Sequence, residues 1–136
     1  METLVIEPTE FSPSVLFDAK KNIFKISGDS RPENAGKFYK PILEWLDKYY
    51  TLRYWKDKRF DTKSAPVVFE FQLEYFNSTS AKFILDILKK IDEFRREKMH
   101  IVVKWYYDGP DTDMKESGEE FSKMAGFPFE LIKLET

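Results

Sequence analysis

Glu74-Tyr-Phe-Asn-Ser-Thr-Ser-Ala-Lys82 joins two stretches of different hydrophobic period. Before the junction, Val67 to Phe76 alternates: Phe69, Phe71, Leu73 and Tyr75 fall on one face, and Val68, Glu70, Gln72 and Glu74 on the other. That is the pattern of a strand with one packed and one half-solvated face. After the junction, Phe83, Ile84, Ile87, Leu88, Ile91 and Phe94 recur at helical spacing. Asn77, Ser78 and Thr79 therefore fall at a helix start, where backbone N–H groups lack partners and the dipole favours negative charge. The plain reading of such residues is helix capping. The same place would also receive a phosphate well, because one to three backbone donors point at it.

Working outward, Val15 to Asp18 and Ile23 to Ser27 read as strands joined in a hairpin around Lys20-Lys-Asn22. Ser30-Arg-Pro-Glu33 reads as a capping box with Pro32 in the first turn of a helix. Pro41 lies inside that helix, so a kink or restart is expected there. The second half, Ile42 to Tyr50, places Ile42, Trp45, Leu46 and Tyr49 on one stripe. Thr51 to Ala65 carries Lys56, Lys58, Arg59 and Lys63 around Trp55 and Phe60 and reads as a solvated connection. Downstream, His100 to Tyr107 is a strand, and Asp108-Gly-Pro-Asp-Thr-Asp113 ends it and opens a helix through about Ala125. A last strand lies near Phe129 to Leu134. Residues 1–10 read as a loosely held N-terminal arm, with Leu4 to Ile6 offering an edge contact, and residues 11–136 as the folded domain. Strands alternating with helices predict an α/β fold: a single-domain layered sheet with its helices mainly on one face.

Composition narrows the classes of function. With 136 residues, one domain can bury a core without disulfides or metal. The 22 basic and 24 acidic residues nearly cancel, so no net field draws the chain to nucleic acid or an anionic membrane. The absence of cysteine removes disulfides, thiolate metal sites and cysteine nucleophiles together. Met1-Glu-Thr-Leu-Val-Ile-Glu7 has neither a basic nor an apolar leader pattern, which makes the cytoplasm the expected location.

Several residues invite chemistry. Asp108, Asp111 and Asp113 suggest a cation, but the fifth position counted from Asp111 is Lys115, which breaks the calcium-loop pattern. They are better explained as carboxylates at a helix start. Asp29, Glu33 and Asp108 would be the acids of an alternative reading, a small-ligand-binding or hydrolytic domain. His100, the only histidine, reads as a boundary residue between helix and strand. Of the aromatic residues, Trp45, Phe71, Phe83, Phe94 and Phe121 fall on faces expected to be buried. Trp105 and Tyr107 share one strand face with Val103, while Tyr106 shares the other with Val102 and Lys104. Glycine-rich phosphate loops, zinc spacings and nucleophile elbows are absent, which disfavours an enzyme and predicts no cofactor.

Several motifs in order carry a family likeness: Gly28-Asp-Ser-Arg-Pro-Glu-Asn34, Phe38-Tyr-Lys-Pro-Ile-Leu-Glu-Trp-Leu46, the junction at Asn77, Trp105-Tyr-Tyr-Asp108 and Gly118-Glu-Glu-Phe121. From about Phe11 onward the chain resembles the SiaC family of regulatory phosphoproteins, whose architecture is similar to STAS domains, the anti-sigma-factor antagonists. The resemblance implies a cytoplasmic, non-enzymatic, partner-switching protein of c-di-GMP signalling and biofilm control. It implies a cognate serine/threonine protein kinase with a histidine-kinase-like ATPase fold and an opposing PP2C-type phosphatase. It also implies a diguanylate cyclase that the unphosphorylated form binds and activates. In that family the Thr of an Asn-Thr-Ser-Ser motif is the phosphoacceptor; here the motif reads Asn77-Ser78-Thr79-Ser80. Ser78 inherits the role by position, with Thr79 as the alternative. Ser30-Arg31 departs from the family, which commonly has an aromatic residue before the proline. The strand-end loops expected to share an edge with Ser78 define a partner surface of Asp29, Glu33, Asn34, Asn77, Thr79, Lys82 and Asp108.

Overall fold

Six strands and three helices follow one another as β1 (Leu4–Ile6), β2 (Ser14–Asp18), β3 (Ile23–Ser30), α1 (Ala35–Lys56), β4 (Val67–Phe76), α2 (Ser78–Arg96), β5 (Ile101–Asp108), α3 (Thr112–Ala125) and β6 (Glu130–Leu134). The structure, a computed structural model, describes residues 1–56 and 65–135. The strands lie in one sheet in chain order. β1, β2 and β3 pair antiparallel, whereas β3, β4, β5 and β6 pair parallel. Because the parallel strands advance without reversal, crossovers of one hand lay all three helices on the same face. The same lack of reversal leaves no switch-point crevice of the kind that receives ligands in doubly wound sheets.

The covered face is apolar and the open face mixed. Phe24 and Ile26 of β3, Phe69 and Phe71 of β4, and Val103 and Trp105 of β5 are buried, as are Ile42, Leu46, Ile84, Ile87, Leu88 and Ile91 from the helices above them. An aromatic cluster fills the β2–β4 end, with Phe24 and Phe69 4.9 Å apart and Trp45 stacked on Tyr49 at 5.4 Å. Offset and tilted ring pairs of this kind add stability beyond their buried area. Trp105 is fully buried, and its indole N–H donates to the Met114 carbonyl at 3.0 Å, which fixes α3 on β5. On the open face the Tyr106 hydroxyl donates to Glu70 at 2.6 Å. Burial first, then the Glu70 carboxylate, pushes that phenol up to about 12.

Some local expectations hold and others are corrected. Leu4 to Ile6 forms the edge strand β1, paired through Val5 and Leu16, and the Trp45 indole donates to the Glu2 carbonyl at 2.8 Å. The hairpin at Lys20-Lys-Asn22 forms: Asp18 accepts the Lys20 and Lys21 amides, and Asn22 turns with φ 55°. α1 runs through Pro41 as one element. Pro41 is exposed, and so is Lys37, whose carbonyl is the one left without its helical donor and open to water. The helix starts one turn later than the proposed capping box: Asn34 accepts the Lys37 amide at 3.0 Å and Ser30 remains in β3. It also continues to Lys56, so Thr51 to Lys56 of the basic connection is helical, and Lys58, Arg59, Phe60 and Lys63 lie outside the described residues. Phe83 is half-buried rather than core, stacked on Tyr39 at 5.7 Å. Among the described residues, no helix is long and apolar enough to cross a membrane.

Candidate functional site

The strand leading into the hydroxyl cluster does not keep its alternation to the end. Leu73 pairs with Gly28 but Tyr75 pairs with Asp29, so Glu74 is an extra residue on β4 and the register shifts beside Gly28, whose φ is 106°. A bulge reverses the side-chain alternation beyond it. Tyr75, expected on the packed face with Leu73, is instead 49% exposed. Phe76 turns inward against Phe121 at 5.6 Å and Trp105 at 6.4 Å. The bulge thus places Asn77 at the top of the sheet and aims the chain into α2.

Asn77 has an extended backbone and caps α2: its side-chain oxygen accepts the Ser80 amide at 2.9 Å and its carbonyl accepts Ala81 N at 3.0 Å. Its own amide donates to the Ser30 carbonyl at 3.0 Å. Beneath it runs a buried hydroxyl chain. Ser30 Oγ donates to Ser80 Oγ at 2.9 Å, and because that uses its only proton, the Tyr39 hydroxyl donates to Ser30 Oγ at 2.5 Å. Ser30, Tyr39 and Ser80 are all fully buried. Burial pushes the Tyr39 phenol above its ordinary value, opposed in smaller part by the bonded Ser30 hydroxyl and then by the nearby Ser80 hydroxyl. The end of β3, the start of α1 and the first turn of α2 are therefore locked to one another.

This arrangement sorts the three hydroxyls. Ser80 is engaged and inaccessible, while Ser78 and Thr79 are exposed. They are the first two residues of α2, ahead of the first helical bond at Ala81, so their amides have no intrahelical carbonyl. A group attached to either side chain meets these free donors and the positive end of the helix.

The remaining candidates follow from topology. β3, β4 and β5 are parallel and each is followed by a helix, so the starts of α1, α2 and α3 share one end of the sheet. Glu33 and Asn34 are exposed in the turn before α1, Asp29 is half-buried near the end of β3, and Asp108 is the exposed last residue of β5. α1 packs closely on α2 there: a Cβ on Gly36 would stand 3.6 Å from the Phe83 ring, over which Lys82 places its ammonium at 5.1 Å. Asp111 caps α3 by accepting the Met114 amide at 3.0 Å, which gives that carboxylate a structural duty. Among the described residues no three His, Asp or Glu side chains cluster as a metal site. His100 sits at the opposite end of the sheet, its carbonyl accepting Val67 N at 2.8 Å. Sequence reasoning missed Ser30, Tyr39 and Tyr75; the one local signal for them was Gly28, suited to the positive φ beside the bulge.

Comparison with known proteins adds to this geometry. The family described as the SiaC family regulatory phosphoprotein matches residues 6–134. The chain belongs to the SiaC family. It is 25% identical over 131 residues, 96% of each chain, to an uncharacterized protein of Pseudomonas aeruginosa (strain UCBPP-PA14). The crystal structure of apo-SiaC from Pseudomonas aeruginosa is similar with a TM-score of 0.81 and 25% identity, covering 97% of this chain and 99% of that one. A chain in the crystal structure of the Pseudomonas aeruginosa diguanylate cyclase SiaD with its activator SiaC is similar with a TM-score of 0.82 and 24% identity, covering 96% and 99%.

Proposed function

We propose that this protein is a non-enzymatic cytoplasmic switch, reversibly phosphorylated at Ser78, whose unphosphorylated form binds and activates a diguanylate cyclase. The observation that carries the proposal is the exposure of Ser78 at the first position of α2, with free amides beside it and the buried Ser30–Tyr39–Ser80 chain holding the turn rigid. The family and the SiaC–SiaD complex support the cyclase as effector. A serine/threonine kinase and a PP2C-type phosphatase complete the cycle.

The physical chemistry fits a surface switch rather than an unfolding one. Phosphoserine adds close to two negative charges. At a helix start such charge is stabilising by about 0.3–1 kcal/mol, so the fold stays intact and the change is in what the surface accepts. Asp29, Glu33, Asn34, Asn77, Thr79, Lys82 and Asp108 surround that end of the sheet as the partner surface. A phosphate among the carboxylates of Asp29, Glu33 and Asp108 makes the surface more negative and repels a partner that docks on the unmodified form.

The test is phosphopeptide mapping of the protein from its native host, with binding to the cyclase measured on both forms. The expected result is one phosphate on Ser78, none after Ser78→Ala, and cyclase binding kept by Ser78→Ala. Label on Thr79 with Ser78→Ala still fully labelled would move the switch one residue along. Ester or nucleotide hydrolysis that disappears on substituting Asp29 or Asp108 would replace the switch by the hydrolytic reading.

A further inference from the structure

Between the first turns of α2 and the outer side of α3 lies an open cleft of about 410 Å³. Its floor is apolar: Phe76, Ala81 and Phe121, with the Met124 side chain, 50% exposed, at the edge. Its rim carries the carboxylates of Asp113, Glu116 and Glu120, and no basic residue lines it. Glu120 has a long ion pair to Lys123 at 3.9 Å, with both side chains well over half exposed. A surface pair of that kind neutralises little. In a chain whose total charge is only −2, this is a strongly one-signed spot around an apolar floor.

We propose that the cleft is a docking groove for a segment of a protein partner that inserts one large apolar side chain and flanks it with Lys or Arg. The floor calls for the apolar anchor, since Phe76 and Phe121 already pack ring to ring and an inserted side chain extends that contact. Met124 supplies an unbranched, polarisable wall that fits anchors of more than one shape. The rim selects the flanks by charge complementarity. The same rim repels the phosphates of nucleic acid and of anionic lipid, which leaves a cationic peptide segment as the occupant. The groove adjoins Ser78 through Ala81, three residues further along α2, but it exists in the unmodified protein and stands whether or not Ser78 is the phosphoacceptor.

The experiment is selection from a random peptide library displayed on phage, with the full chain as bait and the Asp113→Lys/Glu116→Lys double variant as counter-bait. Selected peptides are expected to combine Lys or Arg with a large apolar residue. A synthesised representative is expected to lose about tenfold in affinity for the double variant and for Met124→Glu, and to weaken as salt is raised. Its amide chemical-shift changes should centre on Ala81 and Met124. Because all three substituted side chains are exposed, the fold is not at stake. A control peptide with Glu in place of its basic residues should bind the charge-reversed protein better than the parent, which a misfolded variant would not do. Failure to enrich any peptide, a consensus without basic residues, or selected peptides that bind both variants as tightly as the parent would overturn the groove while leaving the Ser78 switch untouched.

Discussion

Replacing Ser30 by Ala should destabilise the protein more than its size suggests. The substitution removes a single oxygen, but it strands the Tyr39 hydroxyl, which has been donating to Ser30 at 2.5 Å, and withdraws the donor that Ser80 receives at 2.9 Å. All three side chains are fully buried, so water cannot replace the lost partner without opening the α1–α2 junction. An unsatisfied buried polar group costs about 1–3 kcal/mol, which gives about 2–6 kcal/mol for the two disturbed groups. Tyr39→Phe removes the donor itself and leaves Ser30 bonded to Ser80, so about 1 kcal/mol is expected. The double variant decides the matter. With Ser30 already gone, removing the Tyr39 hydroxyl also removes the stranded donor and should recover about 1 kcal/mol relative to Ser30→Ala alone. Urea unfolding at neutral pH, with unchanged denaturant dependence, measures all three. Additive losses in the double variant, or a Ser30→Ala cost below about 0.5 kcal/mol, would refute the chain of hydroxyls as the lock on α2. Amide exchange at Ala81 should quicken in Ser30→Ala if the lock holds the first turn.

Three further perturbations probe other parts of the fold. Gly118→Ala, which in an open helix would stabilise by about 1 kcal/mol, should cost about 1–3 kcal/mol here, read by the unfolding midpoint; a Cβ at that position would stand 2.5 Å from Trp105 Cδ1 and 2.8 Å from Leu131 Cδ2. Tyr39 and Tyr106 both titrate above the ordinary 10.0 when folded, Tyr106 at about 12, so on raising the pH past 10 the unfolded chain loses these protons first. Stability should accordingly be level below that pH and fall as pH rises through the folded values, and Tyr106→Phe should flatten part of the fall in urea midpoints measured across the alkaline range. Ser78→Asp should mimic the phosphorylated form only in part, because aspartate carries one charge and two oxygens against nearly two charges and three oxygens; cyclase binding between that of the parent and of phosphorylated protein is expected, and full retention of binding by both would remove repulsion as the mechanism.

The chain itself determined everything that depends on neighbours a few residues apart. Alternation announced β4 and the stripe of Ile42, Trp45, Leu46 and Tyr49 announced the buried side of α1, because a side chain's polarity and its position in a period of two or 3.6 are local properties. A cap at Asn77 or Ser78 was legible for the same reason, and Asn77 takes it, meeting Ser80, its hydrogen-bond partner, within one turn. The run of motifs from Gly28 to Phe121 was sufficient to point to the family. Tertiary structure alone decided what depends on partners far along the chain. Ser30 satisfies every local rule for a cap, yet its partners are 9 and 50 residues away, and a buried hydroxyl goes where it can be paired. Tyr75 continues an unbroken alternation, but the bulge that turns it outward is a register fact about β3 and β4 together. Gly118 looks like a weak point in a helix until Trp105 and Leu131 occupy the space its side chain would need. In each case polarity and period are written residue by residue, whereas register, pairing and free volume come into being only when separate segments are brought into contact.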